Sequence, residues 1–509
     1  MIRSVLSAIR ALLPALMLAV VLGANGRVCQ AQSEEKPYVS PIFASNMVLQ
    51  RKIPVPVWGW TKPGEKVTVS VEGRSATAVA DPDGKWMAKL SPLPVGGPYK
   101  MRIEGTQQTV TLDNILVGDV WICSGQSNME MGIGNVNDAP KEIADANYPQ
   151  IRLFTVMKKV AYEPQISLVK RDADLMGQWS VCSPETVKTG GWNGFSAVGY
   201  FFGRQLYQDV KVPIGLIHTS WGGTIAEAWT SAEALKTMPD FKPAVEKVAE
   251  IKATPATGKQ DNNPNVVTVL YDGMIAPLIP YGIKGAIWYQ GESNAGRAYQ
   301  YRTLLPTMIK DWRTRWGEGD FPFFIVQLAN FQKSSDEPKD DAWAELREAQ
   351  SMTARNLPKT GIAVIIDIGD AADIHPKDKQ TVGKRLALSA EAIAYGKKLE
   401  YSGPQYKSMS PANDGSAIRL AFDHLGGGLM AKGDKLTGFA IAGEDRKFVW
   451  ADAQIQGNSV IVSSTKVPHP MAVRYAWHIN PVCNLYNKAG LPASPFRTDD
   501  WPGITLNNK

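Results

Sequence analysis

The stretch Trp121-Ile122-Cys123-Ser124-Gly125-Gln126-Ser127-Asn128-Met129-Glu130 joins an apolar, strand-like run to a turn of small and polar residues. The apolar run covers residues 115–123. A serine at such a turn can project its hydroxyl into a cleft while backbone N–H groups point at the same space, as acyl transfer requires. The stretch predicts Ser127 as a nucleophile, without the Gly-x-Ser-x-Gly spacing of the ordinary α/β-hydrolase turn. Taken alone, it is also compatible with a polar turn that has no catalytic role.

Downstream of this stretch, strand patterns alternate with helical patterns as far as residue 397. The predicted strands are residues 212–219, 285–289, 322–328 and 361–368, and the predicted helices are residues 196–208, 297–315 and 342–355. Such alternation is typical of an α/β fold in which helices cover both faces of a parallel sheet. Ligands bind beyond the carboxyl ends of the strands in such sheets.

Short strand patterns flank this α/β region on both sides. A chain of 509 residues is too long for one ordinary core, so several domains are expected. Residues 38–112 read as an N-terminal β-sandwich domain, residues 113–397 as the α/β domain, and residues 398–509 as a C-terminal β-domain.

Residues 1–31 have the pattern of a secretory signal peptide. Arg3 and Arg10 precede an apolar run at residues 11–23, and small and polar residues follow it. The run is too short for a comfortable membrane span, and no later segment is long and apolar enough. The sequence therefore predicts a secreted or periplasmic protein, with a retained N-terminal anchor as the alternative.

Composition excludes several classes of function. The net charge of +6 is spread along the chain, so no nucleic-acid partner is predicted. The four cysteines, Cys29, Cys123, Cys182 and Cys483, are far apart in sequence and predict neither a zinc site nor a disulfide scaffold. No oligomeric state follows from the sequence.

Polar clusters follow the ends of the predicted strands. Besides residues 125–129, they occupy residues 220–224, 290–294 and 369–376. Paired glycines also mark turns, and Asn, Ser and Asp also cap helices, so each cluster alone has a structural explanation. Their coincidence at four strand ends predicts a site at this edge of the sheet.

The base for a serine nucleophile is usually histidine, because its pKa lies near working pH. His424, His469 and His478 fall in the predicted C-terminal β-domain, and His218 falls inside a predicted strand. His375 follows the last strand of the predicted sheet, and it is therefore the predicted base.

A carboxylate should hold the imidazole in the correct tautomer. Asp373 lies two residues before His375 and is the favoured candidate, although it could instead cap the next helix. Asp370 could serve if the loop turns back. Glu292, from another strand end, is the competing carboxylate.

The attacked carbonyl develops negative charge and needs preplaced donors, each worth about 3–4 kcal/mol of barrier. The candidates are the backbone N–H of Ser127, a backbone N–H of Gly222 or Gly223, and a side-chain amide of Gln290 or Asn294. Glycine suits this role because it lets the backbone approach closely.

Together, these motifs carry a resemblance to a known family. They are Gly125-Gln126-Ser127-Asn128-Met129, Trp221-Gly222-Gly223-Thr224, Trp288-Tyr289-Gln290-Gly291-Glu292-Ser293-Asn294 and Asp373-Ile374-His375-Pro376. In this order they resemble the sialate O-acetylesterases, a branch of the SGNH hydrolases close to the acetylxylan esterases among carbohydrate esterases. Residues 484–487 and 490–498 look like the closing segment of the same family.

The resemblance implies hydrolysis of O-acetyl esters on sugars or polysaccharides without metal or cofactor, on an SGNH core with a flavodoxin-like three-layer fold. It assigns Ser127 as nucleophile and His375 as base. The wider SGNH pattern has Asp three residues before the histidine, where this chain has Ala372, so Asp373 and Glu292 both stay open. The alternatives are a polysaccharide O-acetylesterase and, from another class, a non-catalytic carbohydrate-binding protein.

Overall fold

The computed structural model describes residues 36–253 and 261–509, so the predicted signal peptide, residues 1–31, lies outside the described residues. The strands are β1 (Val48–Gln50), β2 (Val55–Trp60), β3 (Lys66–Val71), β4 (Arg74–Val79), β5 (Lys85–Leu90), β6 (Gly96–Glu104), β7 (Thr109–Gly125), β8 (Tyr148–Thr155), β9 (Trp179–Cys182), β10 (Ile214–Ser220), β11 (Gly285–Tyr289), β12 (Phe323–Val326), β13 (Thr360–Ala363), β14 (Gln405–Ala412), β15 (Ala417–Asp423), β16 (Leu429–Ala431), β17 (Phe439–Ala442), β18 (Val449–Trp450), β19 (Asp452–Gln456), β20 (Ser459–Ser463), β21 (Ala472–Tyr475), β22 (Leu485–Asn487) and β23 (Phe496–Arg497). The α-helices are α1 (Ser127–Glu130), α2 (Ala139–Ala144), α3 (Ala197–Val210), α4 (Ala232–Leu235), α5 (Lys242–Ala253), α6 (Ala298–Trp316), α7 (Ala342–Asn356) and α8 (Lys379–Ile393).

The strand β7 lies at the centre of a mixed sheet with the order β13-β12-β11-β7-β10-β8-β9. Neighbours in this order are parallel except β8 and β9, which are antiparallel. Two helix pairs, α3 with α8 and α6 with α7, pack beside it. The α/β prediction is confirmed, but the prediction of a wholly parallel sheet is wrong at the β9 edge. There the chain returns without a crossover helix, which antiparallel pairing allows.

The strand β7 also joins the N-terminal strands to the central sheet. Its first part pairs antiparallel with β6, and its last part pairs parallel with β10 and β11. Apolar side chains of β3, such as Val67, belong to the same continuous core as those of the central strands, such as Ile122. Because β7 runs through residues 112 and 113, the domain boundary proposed there stays a prediction.

The C-terminal strands form small antiparallel sheets with a second core. Their orders are β14-β15-β20-β19 and β18-β17-β21-β23, with β16 paired to β22. Leu420, Val462 and Val473 lie in this core. The boundary proposed at residues 397 and 398 stays a prediction. Among the described residues, none of the helices combines the length and apolar character that a membrane crossing needs.

The last strand of the central sheet, β13, ends at Ala363, five residues earlier than the sequence pattern predicts. The carbonyl of Val364 accepts a hydrogen bond from the buried Arg385 Nη1 at 2.8 Å. Beyond it, the N–H of Gly369 donates to Asn330 Oδ1 at 2.7 Å. These contacts draw the chain out of the strand ladder and lead it toward His375.

Candidate active site

The nucleophile turn is built where three strands end together. Gly125 pairs with Ser220 of β10 and with Tyr289 of β11. It has φ +142°, and a side chain there would place Cβ 2.1 Å from the Tyr289 carbonyl oxygen, so only glycine fits. The N–H of Gln126 then donates to the same carbonyl at 2.9 Å. This turn starts helix α1 at Ser127 and places it at the carboxyl edge of the sheet.

The structure brings the predicted nucleophile and base together, although they are far apart in sequence. Ser127 Oγ lies 3.0 Å from His375 Nε2, within hydrogen-bond distance. The Trp192 ring packs edge-on against the imidazole, with centroids 5.0 Å apart. Burial and the charge of Lys379 lower the pKa of His375, while Asp373 opposes them. A lowered pKa keeps the imidazole neutral near neutral pH and ready to accept the serine proton.

The acidic partner of His375 in this structure is Asp373. Asp373 Oδ1 lies 3.3 Å from His375 Nδ1 and accepts the backbone N–H of His375 at 2.9 Å. The cap of α8 is Asp378, whose carboxylate accepts the N–H of Thr381, so Asp373 is not that cap. The competing carboxylate, Glu292, has no described hydrogen bond to His375. Its Oε1 accepts a hydrogen bond from Asn128 instead.

Asn128 links the nucleophile helix to the histidine loop. Its Nδ2 donates to Glu292 Oε1 at 2.6 Å and to the carbonyl of Ile374 at 3.1 Å. Its Oδ1 accepts from Lys379 Nζ at 2.6 Å. Burial lowers the pKa of Lys379 to about 7 and raises the pKa of Glu292. Within the described residues, Glu292 Oε2 is buried without a hydrogen-bond partner.

Neither Asn128 nor Lys379 was predicted as a site residue from the sequence. A role for Asn128 could have been anticipated from the sequence, because Asn128 directly follows Ser127 in the same motif. No sequence feature indicated a role for Lys379, since a lysine at the start of a helix is normally solvated. Its complete burial appears only in the folded chain.

Among the predicted backbone donors, Ser127 and Gly222 lie close together. Ser127 is the first residue of α1, so its N–H has no partner within the helix. Gly222 packs against it: a Cβ there would lie 3.3 Å from Ser127 Cβ. The N–H of Gly222 donates to Glu130 Oε2 at 2.6 Å, and Lys158 Nζ donates to the other oxygen of Glu130 at 2.6 Å. Gly223 has φ +74° and open space around its Cβ position.

The predicted side-chain donors have other partners. Gln290 Nε2 donates to Asn294 Oδ1 at 2.6 Å and to the Thr224 carbonyl at 3.1 Å. Asn294 Nδ2 donates to Glu227 Oε2 at 2.9 Å, and the Tyr301 hydroxyl donates to Gln290 Oε1 at 2.7 Å. Both side-chain amides take part in a buried hydrogen-bond network. The structure therefore does not bring either one to Ser127 as a free donor.

In residues 36–253 and 261–509, no group of His, Cys, Asp and Glu side chains could hold a metal ion. Cys123, Cys182 and Cys483 are free thiols.

Comparisons with known proteins cover the whole of this site. A family model described as carbohydrate esterase, sialic acid-specific acetylesterase, matches residues 117–391. The sialate O-acetylesterase of Homo sapiens is 33% identical over 507 residues, which cover 91% of this chain and 93% of that protein. The Mus musculus enzyme is 33% identical over 505 residues, covering 88% of this chain and 92% of that protein. This chain belongs to the sialic acid-specific acetylesterase family of carbohydrate esterases.

The same relationship appears among solved structures. The crystal structure of a carbohydrate acetylesterase from Xanthomonas citri is 42% identical to this carbohydrate esterase, with a TM-score of 0.80. The match covers 92% of this chain and 100% of that one. The family prediction is confirmed, and the chain is a carboxylic ester hydrolase.

Proposed function

We propose that this carbohydrate esterase hydrolyses O-acetyl esters of saccharides through an acetyl-enzyme on Ser127, within an SGNH-type three-layer core. The observation that carries the proposal is the 3.0 Å approach of Ser127 Oγ to His375 Nε2, with Asp373 on the other ring nitrogen. A nucleophile, a base and an orienting carboxylate in this order are the parts that serine esterase chemistry needs.

The first half-reaction acylates the serine. His375 Nε2 takes the proton as Ser127 Oγ attacks the acetyl carbonyl carbon, and a tetrahedral oxyanion forms. The backbone N–H groups of Ser127 and Gly223 stabilise this oxyanion, each by about 3–4 kcal/mol. The intermediate collapses, the C–O bond to the sugar breaks, and His375 returns the proton to the departing sugar hydroxyl.

The second half-reaction regenerates the enzyme. His375 takes a proton from a water molecule that attacks the acetyl carbonyl of Ser127. Collapse breaks the ester bond, returns the proton from His375 to Ser127 Oγ and releases acetic acid, which loses its remaining proton to solvent as acetate. Asp373 stabilises the imidazolium in both halves and keeps Nδ1 protonated when the ring is neutral.

The test is acetate release by the wild type and by S127A and H375A. The panel contains O-acetyl sialic acid, acetylxylan, acetylated pectin and an aryl acetate. Both variants should lose at least about 1,000-fold in kcat on every substrate while keeping the wild-type melting temperature. Retained turnover in a folded S127A would contradict the acetyl-enzyme.

The substrate panel also decides between two sugar classes. The sialate O-acetylesterases of mammals are about one-third identical to this chain, whereas the Xanthomonas citri carbohydrate acetylesterase is 42% identical. Because that protein is described as a carbohydrate acetylesterase, without restriction to sialic acid, a polysaccharide O-acetylesterase is the second candidate function. Release of acetate from acetylxylan or pectin but not from O-acetyl sialic acid would select it.

We also propose export through residues 1–31, on the basis of their basic, apolar and small-residue pattern. Expression of the full chain in a bacterium followed by intact mass measurement of the periplasmic protein tests this. A mass that lacks about the first 31 residues is expected. A full-length protein confined to the cytoplasm would contradict export.

A further inference from the structure

One cavity of the described structure has a lining that includes neither Ser127 nor His375. This cavity of about 510 Å³ lies between the loop that follows β12 and the C-terminal strands. Asp336 and Lys339 line it from the loop, and Trp450 and Asn480 line it from the C-terminal part. This volume is in the range of small-molecule binding sites.

The two walls of the cavity are fixed to each other by a buried arginine. Arg347 is fully buried and donates to the carbonyl oxygens of Leu328 at 2.8 Å and Ala329 at 2.7 Å, on the loop side. It also donates to the carbonyl oxygens of His478 at 2.6 Å and Ile479 at 2.8 Å, on the C-terminal side. The cavity is therefore preformed, which reduces the entropy lost when a ligand binds.

The cavity wall is also connected to the catalytic loop. Asn330 Nδ2 donates to Asn480 Oδ1 at 3.0 Å, on the wall of the cavity. Asn330 Oδ1 accepts the N–H of Gly369 at 2.7 Å, in the segment that leads to His375. A ligand in the cavity therefore occupies a site built on the same loop framework as the base.

One aromatic ring in the cavity is open to a ligand. The Trp450 side chain is 45% exposed, and its Nε1–H donates to the carbonyl of Asp336 at 2.6 Å, which fixes the indole. Phe448 and Trp477 also line the cavity, but the Arg474 guanidinium lies over their rings, at 4.1 Å and 5.3 Å from the centroids. Trp450 thus offers a rigid apolar surface with polar groups around it, which suits the C–H face of a sugar ring.

The charges around the cavity balance. Arg474 forms an ion pair with Asp340, and Lys435 pairs with Asp452 at 2.8 Å. Asp336 and Glu337 are matched by Lys339 and Arg446 among the other lining residues. Because neither positive nor negative charge dominates the cavity lining, its electric field does not attract a polyanion. The lining therefore favours a neutral, polar ligand.

We propose that this cavity binds a neutral oligosaccharide segment, the unesterified part of the glycan whose acetyl ester is cleaved at Ser127. The inference rests on the proposed function, because it takes the substrate to be an acetylated saccharide longer than one unit. The fixed indole supplies stacking, and the polar rim supplies hydrogen bonds to hydroxyl groups.

The test measures binding without hydrolysis. The S127A protein is titrated calorimetrically with xylohexaose, cellohexaose and sialyllactose. At least one neutral hexasaccharide should bind, and S127A/W450A should bind it about tenfold more weakly, as expected for loss of a stacked aromatic ring. S127A/W450F keeps a ring and should lie between the two. The matched control is S127A/Y299A, because Tyr299 is 41% exposed and lies outside the cavity lining.

Failure of this inference differs from failure of the proposed function. No binding by either neutral hexasaccharide, or equal binding by S127A and S127A/W450A, would overturn the cavity assignment even if the wild type releases acetate from saccharides. A loss of oligosaccharide affinity in S127A/Y299A equal to that in S127A/W450A would also overturn the cavity assignment. Absence of acetate release by the wild type from every acetylated saccharide would instead overturn the proposed function.

Discussion

The carboxylate of Glu130 accepts the backbone N–H of Gly222 at 2.6 Å, which joins the end of helix α1 to the loop after β10. Lys158 holds the other oxygen of the same carboxylate at 2.6 Å. Because a Cβ at Gly222 would lie 3.3 Å from Ser127 Cβ, this contact sets the position of the loop beside the nucleophile. Glu130 is therefore a positioning residue.

The first prediction concerns this contact. E130A should lower kcat/KM for an aryl acetate by about 10- to 100-fold, because the Gly222 loop loses the acceptor that holds it beside Ser127. E130Q keeps an acceptor oxygen and should retain most of the activity. Steady-state kinetics with both variants check this. Equal losses in E130A and E130Q would show that the negative charge, and not the hydrogen bond to Gly222, is what matters.

The second prediction separates the two candidate carboxylates. D373N should lower kcat by about 100-fold or more, because an amide at 3.3 Å from His375 Nδ1 carries no charge to stabilise the imidazolium and can donate to Nδ1, which favours the wrong tautomer. E292Q keeps its contact to Asn128 and should lose less than about tenfold. The kcat values of the two folded variants decide the assignment. The reverse order of losses would make Glu292 the orienting acid.

The third prediction is a shift of the pH profile. Burial is the main cause of the lowered pKa of His375, and the charge of Lys379 lowers it further. Since the pKa of Lys379 is about 7, it is charged in the acidic range where His375 takes up its proton. K379M should therefore raise the pKa of His375 and move the acidic limb of kcat/KM to higher pH. The exposed Lys377 provides the control, since K377M should leave the limb in place. If the acidic limb of K379M lay at the same pH as that of the wild type, the electrostatic coupling between Lys379 and His375 would be contradicted.

The fourth prediction concerns stability. Burial raises the pKa of Asp272 to about 7, so the folded protein keeps its proton at pH values where the unfolded chain has lost it. For an acid with a raised pKa, stability falls as pH rises from about 4 to about 7. D272N removes this loss and should stabilise the protein at pH 8 by on the order of 2 kcal/mol, with a smaller gain at pH 4.5. Urea unfolding at both pH values measures it. An equal effect at both would rule out titration of Asp272.

Much of the secondary structure was predictable, because its signals are local. The helix predicted at residues 297–315 is α6, Ala298–Trp316, and the strand predicted at residues 285–289 is β11, Gly285–Tyr289. Apolar periodicity and capping residues act over a few positions. The antiparallel β9 edge was missed, because strand direction depends on the route of the chain between strands.

The candidate site was predictable only in part. Ser127 and His375 follow strand ends, and strand ends of a parallel sheet meet at one edge, so their proximity could be anticipated. Gln290 and Asn294 were expected at the nucleophile, but buried partners hold their amides elsewhere. The choice among such partners depends on packing between segments that are distant in sequence.

The sequence by itself determined the α/β class, the family and the two candidate reacting side chains, because strand patterns and motif order depend on residue types and their spacing. The tertiary structure decided which carboxylate reaches His375 and which charges surround it. It also revealed the buried Lys379 and the contact between Glu130 and Gly222. These features depend on distances of a few ångströms between remote segments, and only the folded chain sets such distances.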